Sequence, residues 1–389
     1  MKNSIKVIEN AKVVLESGII WDGVIVIKDD KIIDYGKKDA VEVPDGAERI
    51  DAKGAYVGPG FVDIHLHGGG GCKSDVDPVG MARYFLKHGE TTILETSCAI
   101  ERNNLEHALN NIKGIREAMK TEKNIKGIYM EGPYYNPNYG ANKHLNLWAS
   151  RPILPEDYEP MVDAGGEDLK VWMIAPEREG ILPFCEYARK VNPNVIFAVG
   201  HSEALPSEIR ALGKYRPRLL THTMNATGRK GEIPNHGLRY IGPDEYALKE
   251  PDVYCELICD SLGIHVNAEL QQLILHNKGL HRTLLITDST VYNNPIPERY
   301  AHVTDLNFDD RGGIAGSKLT LDKACRNIMT HTNCGIAQTF ILASTTPARA
   351  IGMGDEIGSI EKGKKADLVF VDDMFNVKTV MLEGEICEF

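Results

Sequence analysis

Pro59-Gly60-Phe61-Val62-Asp63-Ile64-His65-Leu66-His67-Gly68 is the stretch from which the rest of the chain is read. Phe61 to His67 reads as a buried strand that breaks at the four glycines Gly68 to Gly71. Side chains on a strand alternate faces, so His65 and His67 point to one side and Ile64 and Leu66 to the other. One strand thereby offers two imidazoles to one metal centre. Spacing alone leaves a pair of ordinary polar residues at a strand end equally open, and ligand-type residues elsewhere have to decide.

Working outward, the same texture of a strand followed by a helix repeats. After Phe61 to His67 the candidate strands are Thr91 to Thr96, Ile125 to Glu131, Val171 to Ala175, Val195 to His201, Leu219 to His222, Val253 to Cys259 and Thr283 to Asp288. Several are nearly all apolar, as parallel strands covered on both faces must be. Leu105, Leu109, Ile112, Ile115 and Met119 recur at helical spacing, Asn267 is placed to cap a helix carrying Leu270, Leu273 and Ile274, and Thr346-Pro347 reads as a helix start. Eight such units predict an α/β fold, a (β/α)8 TIM-type barrel, in preference to an open doubly wound sheet. Both ends of the chain are instead short β-branched runs: Ile5 to Ile8, Lys12 to Leu15, Gly23 to Lys28 and Lys31 to Tyr35, with a hairpin at Asp29-Asp30, then Ala366 to Val371 and Val377 to Leu382. The expected division is a small discontinuous β domain formed by both termini, residues 1–54 and 356–389, around a barrel of residues 55–355.

Barrel active sites form at the C-terminal ends of the strands. The first predicted strand ends in His65 and His67, the third in Glu131, the fifth in His201, the sixth in His222 and the eighth in Asp288. Any one of these taken alone is more often a satisfied buried polar group. Six ligand-type residues ending five strands point to a metal centre. Imidazole with carboxylate and no clustered cysteine suits zinc or ferrous iron better than magnesium or calcium.

Composition excludes several functions. The 389 residues carry a formal net charge of −11 and no basic block, which argues against nucleic acid or an anionic membrane as main partner. No apolar run approaches the roughly 18 residues needed to span a bilayer. Eight scattered cysteines without CxxC pairs, and no signal stretch, are expected of a reduced, cytoplasmic protein. Gly68 to Ser74 has the outline of a phosphate loop, but Cys72 stands where glycine is required before Lys73.

Over nearly its whole length the chain resembles the metal-dependent amidohydrolases, and within them the N-acetylglucosamine-6-phosphate deacetylases. The resemblance is carried by residues 59–68, Glu131-Gly132-Pro133-Tyr134, Gly200-His201-Ser202, Thr221-His222-Thr223-Met224-Asn225-Ala226, Thr287-Asp288, and Ala315-Gly316-Ser317 with Leu319-Thr320-Leu321. It implies that Glu131, His201 and His222 hold one divalent ion and that His65 and His67 add a second, one or two ions per chain. Asp288 is then placed to take a proton from the attacking water and pass it to the departing amine.

The resemblance further implies an amino sugar phosphate as substrate. Asn225, Ala226 and Arg229 are the expected phosphate-binding residues, with Arg229 reaching into the neighbouring subunit of a homodimer. His265 is expected to contact the sugar, and either Asn142 or His144 to fill a position the family gives to histidine. Residues 229–254 and 291–313 depart from the family pattern, so N-acetylgalactosamine 6-phosphate or another N-acetylated amino sugar stands as an alternative substrate. A non-catalytic scaffold of the same fold would have lost ligands that are all present here.

Overall fold

The computed structural model describes residues 4–98, 104–141, 144, 148, 150–228 and 241–389. Eight parallel strands follow one another in chain order: Phe61–Leu66, Glu90–Cys98, Ile125–Glu131, Leu169–Ile174, Ile196–Val199, Leu219–Leu220, Tyr254–Ile258 and Thr283–Ile286. Each pairs with the next in this order, from the first to the eighth. Beyond the last strand, Asp288 N–H donates to the His65 carbonyl (2.9 Å) and His67 N–H to that of Ser289 (2.7 Å), bringing the eighth unit against the first. The fold is a TIM-type barrel with helices between its strands.

Alternation along the strands sorts side chains between the helix layer and the barrel interior. On the third strand Ile128 and Met130 join the cluster that includes Ile112 and Ile115 of the helix Leu105–Ala118. Tyr129 belongs to a separate cluster with Val62, Leu94 and Val171, and Glu131 follows it at the same parity. The helix Leu105–Ala118 starts at Asn104, whose side chain accepts the His107 N–H.

Two helical expectations change. Asn267 caps the helix Ala268–Lys278, but the face turned inward carries Ile274 and Gln271, whose amide donates to the Val266 carbonyl, while Leu270 and Leu273 lie at the surface. An α-helix, Thr346–Ala350, does begin at Thr346 with Pro347 in its first turn, but Thr346 is not its cap. It continues a run that passes from Ile336–Phe340 through one wide turn, Ile341–Thr345, and its hydroxyl bonds the Leu280 carbonyl.

The two ends of the chain share one sheet. Its order is Glu385–Ile386, Val377–Leu382, Leu368–Val371, Tyr56–Pro59, Ile5–Leu15, Gly18–Lys28 and Lys31–Lys37, with Glu48–Asp51 also paired to Ile5–Leu15. The two runs expected at Ile5 to Ile8 and Lys12 to Leu15 are one strand with irregular register between Ile8 and Val13. Asp29-Asp30 forms the turn, Asp29 at a φ of 54°. Tyr56–Pro59 matters for the site: only Gly60 separates it from the first barrel strand. Gly60 N–H is tied to the Asp367 carbonyl at 2.8 Å, so the sheet made by the termini anchors the strand that carries His65. Among the described residues no helix is long and apolar enough to cross a membrane.

Candidate metal centre

The fifth, sixth and eighth strands stop earlier than the sequence pattern predicts, at Val199, Leu220 and Ile286. His201, His222 and Asp288 each lie two residues beyond, at φ of 44°, 29° and 45°. Left-handed backbone at a residue with a side chain costs of order 1–3 kcal/mol and persists only where its surroundings enforce it. Here three such residues stand together at one rim of the barrel.

Two groups of ligand atoms converge there: Glu131 with His201 and His222, and His65 with His67 and Asp288. In the first, His201 Nε2 lies 3.0 Å and His222 Nε2 3.3 Å from Glu131 Oε1, and the two nitrogens are 3.0 Å apart. In the second, His67 Nε2 is 3.3 Å and His65 Nε2 3.8 Å from Asp288 Oδ1. Glu131 joins them, its Oε2 lying 3.0 Å from His67 Nε2 and its Oε1 3.5 Å from His65 Nε2.

The opposite nitrogens explain why these face inward. His222 Nδ1 lies 3.0 Å from the Asn225 carbonyl, which can only accept, so in the neutral ring the proton is on Nδ1 and Nε2 presents a lone pair. His65 Nδ1 lies 3.0 Å from Glu256 Oε2, leaving a buried Nε2 that has no hydrogen-bond partner among the described residues. Lone pairs and carboxylate oxygens packed this closely repel unless protons or a metal cation are shared among them. Imidazoles fixed from behind by a carbonyl and a carboxylate are the arrangement a divalent ion takes.

Charges shift accordingly. Burial would raise the Glu131 carboxyl, but His65, His201 and His222 outweigh it and hold Glu131 well below the usual range. Burial opposes ionisation of Asp288 too, and the bond to His67 overcomes it, keeping Asp288 ionised. For His67 burial pulls downward, yet Asp288 and Glu131 lift it to about 9.

Glu256 was not among the residues expected at the site. It sits fully buried in the seventh strand, holds His65, and accepts the His222 N–H at 3.1 Å. A lone charge in the otherwise apolar run from Val253 to Cys259 was the signal for it. Tyr129 stacks on the His65 ring at 4.6 Å between centroids. Gly140, at a φ of 98°, brings backbone against His201, and a Cβ there would stand 2.5 Å from Nδ1.

A cavity of about 350 Å³ opens onto these residues. Asn225 and Ala226 line it. His265 is buried and held by Asp260, its Nδ1 lying 3.1 Å from Asp260 Oδ2, while its carbonyl accepts from the Asn225 amide at 3.4 Å. His144 Nε2 reaches Asp310 at 3.4 Å. Arg229 and Asn142 lie outside the described residues. The glycine run folds back as a short hairpin, Gly68–Gly69 against Cys72–Lys73, in place of a phosphate loop. Burial and Asp77 raise the Cys72 thiol, the opposite of what a nucleophilic thiolate needs.

Comparison with known proteins adds the context. The chain is 28% identical to the N-acetylglucosamine-6-phosphate deacetylase of Vibrio furnissii, over 90% of this chain and 88% of that protein. It is 27% identical to the N-acetylgalactosamine-6-phosphate deacetylase of Escherichia coli, over 85% and 87%. Among solved structures, a variant N-acetyl-D-glucosamine-6-phosphate deacetylase from Mycobacterium smegmatis, in complex with N-acetyl-D-glucosamine-6-phosphate, superposes with a TM-score of 0.79 at 26% identity, over 98% of this chain and 99% of that one. The amidohydrolase family model matches residues 56–387, the whole barrel and the strands of the terminal sheet from Tyr56–Pro59 and Leu368–Val371 onward, and the chain belongs to the amidohydrolase family of hydrolytic enzymes.

Proposed function

We propose that this chain hydrolyses the amide of an N-acetyl amino sugar phosphate, converting N-acetylglucosamine 6-phosphate to glucosamine 6-phosphate and acetate. The observation that carries the reading is the meeting of Glu131, His201 and His222 with His65, His67 and Asp288 at one barrel rim. The relatives that are deacetylases of this kind span nearly the same length.

Glu131, His201 and His222 would hold one divalent ion, and His65 and His67 with Asp288 nearby would hold a second. The imidazole and carboxylate donors suit zinc or ferrous iron. Such an ion supplies polarisation of the amide carbonyl and water acidified from a pKa of about 15.7 towards about 7. Asp288 starts ionised, accepts the proton of the attacking water, and returns it to the amine nitrogen as the carbon–nitrogen bond breaks. His67, 3.3 Å away, holds that carboxylate in place. Asn225 and Ala226 orient the sugar phosphate, and Arg229 supplies the two-pronged cation a phosphate needs. The working protein would be a cytoplasmic homodimer; free thiols at Cys185, Cys255, Cys259, Cys325 and Cys334 support a reducing compartment.

N-acetylgalactosamine 6-phosphate is the second substrate reading, favoured by the relative of that specificity. Acetate release from the two phosphorylated sugars and from unphosphorylated N-acetylglucosamine, with metal supplied, decides among them. Turnover of a phosphorylated sugar well above the unphosphorylated one is expected. A metal-loaded protein inert on all three would overturn the substrate assignment.

A further inference from the structure

The walls of the cavity differ in origin. Asn225 and Ala226 follow the sixth barrel strand, whereas Lys73, Ser74 and Asp75 follow the first, Thr96 lies on the second, and Asn111 is on the next helix. In a ring of eight strands the sixth stands opposite the second, so these walls face each other across the ligand groups. The amine half and the acyl half of an amide lie on opposite sides of its carbonyl carbon. With the sugar against Asn225 and Ala226, the proposed reading on which this inference rests, the acyl half meets the wall of the first two strands.

That wall is built from polar groups where a bare methyl would gain most from apolar contact. Asn111, itself buried, donates from Nδ2 to the Ser74 carbonyl at 3.0 Å and lies 3.5 Å from Ser74 Oγ. Ser74 Oγ donates to Glu95 Oε2 at 3.3 Å. Glu95 is fully buried behind the wall with its carboxyl turned towards Ser74, and its Oε1 has no hydrogen-bond partner among the described residues. Burial raises the Glu95 carboxyl well above its ordinary range, which favours a neutral group able to donate as well as accept. Ser74 and Asn111 line the cavity, so a ligand hydroxyl joins the network at Ser74 Oγ, with Glu95 behind it as the support.

We propose that Ser74, Asn111 and Glu95 form an acyl-specificity subsite that favours an acyl group bearing a neutral hydrogen-bonding substituent, the N-glycolyl (hydroxyacetyl) class, over plain N-acetyl. The reaction stays redox-neutral. Water gives its hydroxyl to the acyl carbon and its proton to the amine, the carbon–nitrogen bond breaks, and the products are hydroxyacetate and the amino sugar phosphate.

The test compares N-acetyl-, N-glycolyl- and N-propionyl-glucosamine 6-phosphate on the metal-loaded full chain, read as release of the free amine. The propionyl group matches glycolyl in heavy atoms but lacks the hydroxyl. The expected result is a kcat/KM for N-glycolyl above that for N-acetyl and about tenfold or more above N-propionyl. Ser74→Ala and Asn111→Leu should each shrink the glycolyl-to-propionyl ratio by about the same factor. A wild-type ratio at or below one, N-acetyl as the best of the three, or a ratio unmoved in both variants overturns the subsite. If N-acetyl is cleaved and the ratio is flat, only this inference fails; if no acyl sugar phosphate is cleaved, the underlying substrate reading fails and the subsite with it.

Discussion

The two ligand groups sit against each other yet are built differently. Glu131, His201 and His222 are all buried although they line the cavity, Glu131 ending the third strand and the two histidines following the fifth and sixth. In the other group His65 is buried, but His67 and Asp288 are partly open to the cavity, and their rim is stitched by backbone bonds between the first and eighth units. The closed group is suited to keeping an ion and the open group to meeting substrate and moving a proton. Glu131 is shared, with one carboxylate oxygen near His201 and His222 and the other near His67.

The largest effect that would sharpen this contrast is expected for Glu131→Gln. Because both groups lean on that carboxylate, bound metal should fall at both, and hydrolysis by on the order of 10³-fold or more. Elemental analysis beside the rate checks it, and normal metal content with a normal rate would dissolve the idea of a shared bridge. Glu256→Gln is a subtler break. It keeps the side-chain shape but weakens the grip on His65 Nδ1, so metal affinity of the open group should drop by about 10–100-fold while the closed group keeps its ion. Metal titration followed by calorimetry would show one weakened site, and two equally weakened sites would contradict the division.

The smallest effect lies outside both groups. Asp260 accepts the N–H groups of Leu262, Ile264 and His265 and the His265 ring. Burial opposes its ionisation, but the His265 ring and these N–H groups hold it at about 2. A depressed carboxylate contributes stability above its unfolded pKa near 3.8 and loses it as pH falls through about 2. Asp260→Asn should therefore cost about 2 kcal/mol at neutral pH, with the gap to wild type closing between those two pH values. Denaturation midpoints across that range measure it, and metal content should not move.

The same contrast explains what could be read from the chain alone. His65, His67, Glu131, His201 and Asp288 were legible because each ends or follows a run that marks a barrel strand, and His222, after only Leu219-Leu220, because it falls in turn in that series, whose strands all end at one rim. That His201, His222 and Asp288 lie past their strands in left-handed backbone was not legible, since hydrogen bonds between strands, not side-chain pattern, decide where a strand stops. Glu256 was visible as a charge in an apolar strand, but its partner His65 is 191 positions away, and only the closed barrel joins them. Ser74, Glu95 and Asn111 meet for the same reason. Leu270 and Leu273 misled because helical spacing marks an apolar stripe without saying which neighbour covers it.

The most direct test of the central claim, that the open group carries the proton while the closed group keeps the ion, is Asp288→Asn measured for bound metal and for acetate release from N-acetylglucosamine 6-phosphate. The account predicts metal retained by Glu131, His201 and His222 with the rate down by about 10²–10⁴-fold. A variant that holds its metal and still turns over at the wild-type rate would contradict it.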